Sequence, residues 1–118
     1  MAPEPSDTAR VEDSSDAPIR AVLFDADSLA RLDAFVVALG ERIDALQDAE
    51  HAGHLDEAAK RAGDLAREAA SLGLPQLMTA AERVVDRCRE GSAIEVREQI
   101  VALTDVIRRV RLGHRGSV

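Results

Sequence analysis

The chain has 118 residues, of which 31% are charged and 46% hydrophobic; its net charge is -7 and its only aromatic residues are two phenylalanines. That length supports a single domain with tails, not two separate cores. The scarcity of rings for base stacking and the acidic balance argue against nucleic acid as a partner, because neutralising phosphates calls for a basic excess.

Residues 1–18 carry Pro3, Pro5, Pro18, three serines and five acidic residues against Arg10 alone. With almost no large apolar side chains they cannot offset the entropy of ordering, so they read as a disordered acidic tail. They also lack the apolar stretch of a signal peptide. The run Ile19-Arg20-Ala21-Val22-Leu23-Phe24 brings the first concentrated hydrophobicity. It is too short for a stable helix and is expected to cover one end of the core.

From Asp25 onward, four segments repeat apolar residues at spacings of three and four, which places them on one helical face. The first carries Leu29, Leu32, Val36, Leu39, Ile43 and Leu46, and the second Leu55, Ala58, Ala62, Leu65, Ala69 and Leu72. The third carries Leu74, Leu77, Ala81, Val84 and Cys88, and the fourth Ala93, Val96, Ile100, Leu103, Ile107 and Val110. Gly53, Gly73 with Pro75, and Gly91 punctuate the boundaries. Ser92-Ala93-Ile94-Glu95 fits a capping box opening the fourth segment.

Connections this short require antiparallel neighbours, so the periodicity predicts an all-α, up-down-up-down four-helix bundle. It spans 19–113, with 114–118 as a C-terminal tail. The alternation of Leu with Ala makes the second helix the most closely packed. Gly63, one residue past Ala62, falls on the flank of that stripe, where a mid-helix glycine costs on the order of 1 kcal/mol against alanine.

The single cysteine, Cys88, has no internal disulfide partner and sits on a core stripe, which fits a reducing, cytoplasmic setting. No stretch approaches the roughly 18 apolar residues of a membrane span, so a soluble protein is expected.

The run Ala62-Gly63-Asp64-Leu65-Ala66-Arg67-Glu68-Ala69-Ala70-Ser71-Leu72-Gly73 resembles the signature helix of histidine-containing phosphotransfer (HPt) domains, roughly A-H-x-L-K-G-x-A-x-x-L-G. The resemblance extends over about residues 26–112. Ala69, Leu72, Gly73, Leu77, Ala81, Glu82 and Val84 stand at scaffold positions, whereas the chemical positions depart. Gly63 replaces the phosphorylatable histidine, Ala66 the neighbouring lysine, and Arg67 the glycine that keeps the ring accessible. Phosphoryl transfer needs a neutral ring nitrogen and a cation for the arriving charge; Gly63 has no nucleophile, Ala66 carries no charge, and Arg67 adds a guanidinium that would crowd the acceptor.

The resemblance therefore implies a bundle of HPt type without catalysis. Such a chain would bind a response-regulator receiver domain or a histidine kinase in a two-component pathway without accepting phosphate. Lys60, Gly63, Ala66, Arg67 and Ala70 recur on one helical face and form the expected partner-binding surface. No cofactor and no metal are expected, and the oligomeric state is a monomer or a weak homodimer formed through exposed Ala/Val positions on the third and fourth helices. Two alternatives stand beside this reading. One is a general helical protein-interaction module; the other is phosphotransfer through a displaced histidine, His54, which lies nine residues before Gly63 without the lysine and glycine context.

His51 and His54 form a His-x-x-His pair, but it spans a predicted helix break and lacks a third ligand, so solvated loop histidines are expected. The basic run Arg108-Arg109-Val110-Arg111-Leu112-Gly113-His114-Arg115 suits a helix C-terminus, where cations offset the helix dipole. It could contact a partner's acidic cleft only if it lay near Gly63. No phosphate-binding glycine loop or Ser/His/Asp arrangement is apparent, and an enzyme is not expected.

Overall fold

The computed structural model describes residues 17–22 and 25–116, with no side-chain description for 115 and 116. The tail read over 1–18 therefore lies outside the described residues apart from Ala17 and Pro18, as do Leu23, Phe24, Ser117 and Val118. Among the described residues, four helices make up the fold: α1 (Ala26–His51), α2 (Leu55–Ser71), α3 (Pro75–Glu90) and α4 (Ala93–Gly116). Among the described residues there is no strand. Each helix packs against the next and α4 returns against α1, so that one core lies between them. Among the described residues, no helix is long and apolar enough to cross a membrane.

Local chemistry explains the boundaries. The Asp25 carboxylate caps α1, accepting from the Ser28 amide at 2.7 Å and from its hydroxyl at 3.0 Å. The amide hydrogen bond is the largest reason that the Asp25 carboxyl is held below its usual range. Pro75 opens α3 at a position where its missing N–H costs nothing. At α4 only half of the expected capping box forms. The Glu95 amide donates to Ser92 Oγ at 3.4 Å, while the Glu95 carboxylate lies 3.7 Å from Arg87 Nε instead of serving its own helix end.

The apolar stripes point inward almost throughout. Ala58, Ala62, Ala69, Leu77, Ala81 and Val84 are fully buried, and α2 packs most closely against α3, as its small residues allow. Two expected core positions are exceptions. Ala93 is the first residue of α4 and is exposed. Leu29 is half exposed, because it stands in α1's first turn, at the mouth of a cleft where residues 19–21 take the place of a covering helix. Phe35, off the expected stripe, is buried, with the Arg42 guanidinium carbon 5.7 Å from its ring centroid.

Residues 17–22 form an extended strap across one end of the helices, and the Ile19 side chain is buried beneath it, as its apolarity predicts. The strap is held by its backbone. The Ile19 amide donates to the Arg109 carbonyl at 2.9 Å, the Val22 amide to the Gly73 carbonyl at 3.0 Å, and Arg109 Nε to the Ala17 carbonyl at 2.8 Å. Both crossing points require glycine. At Gly73, with φ +74°, a Cβ would stand 2.6 Å from the Val22 carbonyl oxygen; at Gly113 it would collide with the Ile19 carbonyl. α4 continues past residue 113 to Gly116, and its His114 ring lies 2.9 Å from Asp33 on α1.

Two measurements check this packing. Alanine in place of a mid-helix glycine ordinarily gains about 1 kcal/mol, yet Gly113→Ala should lower Tm and strip the Ile19 amide of hydrogen-exchange protection, because the new methyl displaces the strap. A higher Tm with protection intact would contradict the close approach. Leu65→Ala should cost about 2–5 kcal/mol in chemical denaturation through lost burial and a cavity, whereas exposed Lys60→Ala should stay within about 0.5 kcal/mol.

Candidate functional site

The seam between α2 and α3 carries an open groove. Gly63, Ala66, Arg67 and Ala70 line its α2 side, and Met78, Glu82, Val85, Asp86 and Arg89 its α3 side. The α2 residues fall at spacings of three and four, so they share a face just beside the core stripe. Those of α3 obey the same rule: Met78, Glu82, Val85 and Arg89 are each one residue past the core positions Leu77, Ala81, Val84 and Cys88.

Four of the five residues expected to bind a partner therefore meet in one place, and Lys60 does not. It is exposed one turn before Gly63, outside the groove. Ala66 also differs from expectation: it is only 5% exposed, so it belongs to the core and forms the groove's floor. The cause is the nearness of α3, which covers a position that the pattern of α2 alone leaves on the flank.

Gly63 is a gap in the α2 wall, and its neighbours limit the size of the gap. A Cβ there would meet Arg67 Nη1 at 3.6 Å and Val85 Cγ2 at 3.9 Å, both ordinary contacts. Neither the backbone nor the available space demands glycine at this position. Arg67 arches over the gap and is ion-paired with Asp64, one turn before it on α2. Glu82, Asp86 and Arg89 give the opposite wall mixed charge, while Met78 and Val85 are half-buried apolar surface between the walls. The groove thus offers an apolar strip with charged edges, and no histidine or cysteine lines it.

The remaining candidates lie elsewhere. His54 precedes α2 as its N-cap residue without a side-chain capping bond; its Nδ1 is 3.9 Å from Glu57, and the ring is solvent-exposed. His51, in the last turn of α1, is exposed with Nε2 3.5 Å from Glu50. The basic run does not form one patch near Gly63. Arg108 pairs with Asp105 at 3.0 Å, Arg109 is buried under the strap, and Arg111 and His114 line the cleft between α4 and α1. Arg108, Arg111 and His114 thus stand on the α1 side of α4, away from the α2/α3 seam that holds Gly63.

One polar cluster has no counterpart in the sequence reading. Glu50, in α1's last turn, is buried and receives Arg97 Nη2 of α4 at 3.0 Å. Nearby on α3, burial raises the Cys88 thiol above its usual range, and the Glu50 charge adds to the shift. Both effects disfavour the thiolate, the reactive form.

Compared with protein-family models, with curated proteins and with solved structures, the chain has no match.

The contacts at Gly63 give a direct stability test. Gly63→Ala should stabilise the protein by up to about 1 kcal/mol in urea denaturation, because helix propensity improves and the methyl fits. A loss of stability would show that the α2 and α3 walls stand closer than described.

Proposed function

We propose that this chain is a non-catalytic protein of HPt type, an antiparallel up-down-up-down four-helix bundle that binds a receiver domain or histidine kinase of a cytoplasmic two-component pathway without taking up phosphate. The observation that carries the reading is the α2/α3 groove. Gly63, at the position where the family resemblance puts the phosphorylated imidazole, opens onto a partly apolar strip, and the guanidinium of Arg67 lies over it. A histidine ring there would crowd Arg67, and the family's lysine position is filled by a buried alanine. The groove can therefore be occupied by a partner helix while offering it no acceptor atom.

The apolar strip supplies non-directional attraction, and the charges of Glu82, Asp86 and Arg89 along its edge supply register. A chain that fills a receiver's docking surface without exchanging phosphate acts by occupancy: it competes with phosphotransfer or holds the receiver in place.

Two experiments test the proposal. Incubated with a labelled phosphorylated receiver, the protein should acquire no acid-labile label; label on His51, His54 or His114 would overturn it. In a calorimetric screen against receiver domains and kinases, Gly63→Trp combined with Arg67→Glu should abolish binding, because hot-spot energy is concentrated, with a circular dichroism melt of the variant showing that it remains folded. Binding that survives this pair and is destroyed by changes on α1 or α4 would assign the chain to general helical interaction modules instead.

A further inference from the structure

The outer face of α4 carries large apolar side chains that no part of the described chain covers. Ile94 is 75% exposed and Val101 65%, and with Ala93, Arg97 and Glu98 they line a shallow depression. At about 100° per residue, Val101 lies within roughly 20° of Ile94 around the helix, while Arg97 falls about 60° to one side of that line and Glu98 about 40° to the other. The apolar line therefore has a cationic edge and an anionic edge. Arg97 gives one nitrogen to Glu50 and keeps further N–H donors; Glu98 has no ion-pair partner among the described residues.

We infer that this face pairs with the same face of a second copy, the two α4 helices running parallel about a two-fold axis along their length. The charge placement selects both occupant and direction. A parallel two-fold sets Ile94 against Ile94 and Val101 against Val101 and brings the cationic edge of each copy onto the anionic edge of the other, so that the Arg97–Glu98 contact forms twice. An antiparallel two-fold places Arg97 against Arg97 and Glu98 against Glu98, which is repulsive on both edges. Four central residues per copy fall well short of the roughly 20–30 per side of a stable interface, so the dimer is weak and concentration-dependent. This surface lies on α4, apart from the α2/α3 groove, and leaves that groove free for a partner.

Sedimentation equilibrium of the full chain up to about 1 mM should show a monomer–dimer equilibrium. Glu98→Arg and, separately, Val101→Asp should each weaken it at least tenfold while leaving the circular dichroism melt of these exposed sites unchanged. Under mild oxidation Ile94→Cys should form a disulfide-linked dimer by itself, with the wild-type chain, whose Cys88 is buried, as the uncrosslinked control. A monomer at every concentration, or a dimer indifferent to both substitutions, would overturn the inference. So would an Ile94→Cys chain that crosslinks only to Val101→Cys, because that outcome belongs to the antiparallel pairing.

Discussion

The alanines at positions 58, 62 and 69 of α2 and 81 of α3 are all fully buried and alternate with larger core side chains such as Leu65, Leu77 and Val84, so small residues recur along the contact of the two helices. Close approach of the backbones follows, and the candidate site follows from that approach. Residues one step off each core stripe, which on a more distant pair would stand free in solvent, become the facing walls of a groove. The same closeness drops Ala66 from the wall to the floor. Larger residues at the contact would spread the seam and erase the groove before they cost the helices themselves, because overpacking is relieved by shifting backbones.

The strap obeys different physics. Helix–helix packing here tolerates a range of side chains of the right size, but residues 17–22 are docked by amide and carbonyl groups onto Arg109 and Gly73, at points where a single methyl does not fit. Ile19 contributes burial, whereas the hydrogen bonds fix where it sits. Arg109 serves both parts, receiving an amide on its carbonyl and donating through its side chain to Ala17. An arginine inside the basic run is thus a buried structural residue, and it leaves the helix's surface charge to its neighbours.

What was legible in the sequence follows the same division. Burial of one face imposes a period near 3.6, so the four helices, their punctuation and most of the core can be read directly, and the same period puts Gly63, Arg67 and Ala70 on one face of α2. The opposite wall was legible in principle as a second stripe one residue past the core of α3, through Met78, Glu82, Val85 and Arg89. The apolar run 19–24 marks a cover over one end of the core, but how the strap attaches is not legible, because the attachment depends on backbone groups and on side chains that are missing. The Glu50–Arg97 pair was equally hidden: a glutamate in a last turn reads as solvated, and its partner is 47 residues away along the chain.

Cys88 lies near the end of the core that holds the Glu50 carboxylate; burial pushes its thiol above the usual range and leaves it only slightly exposed. Because only an exposed thiolate is alkylated at an appreciable rate, modification must wait for that end to open. The chain carries no other cysteine. It therefore holds a built-in probe: the rate at which a thiol reagent consumes Cys88 rises with the fraction of time that this end stands open, with no label or substitution to disturb the protein.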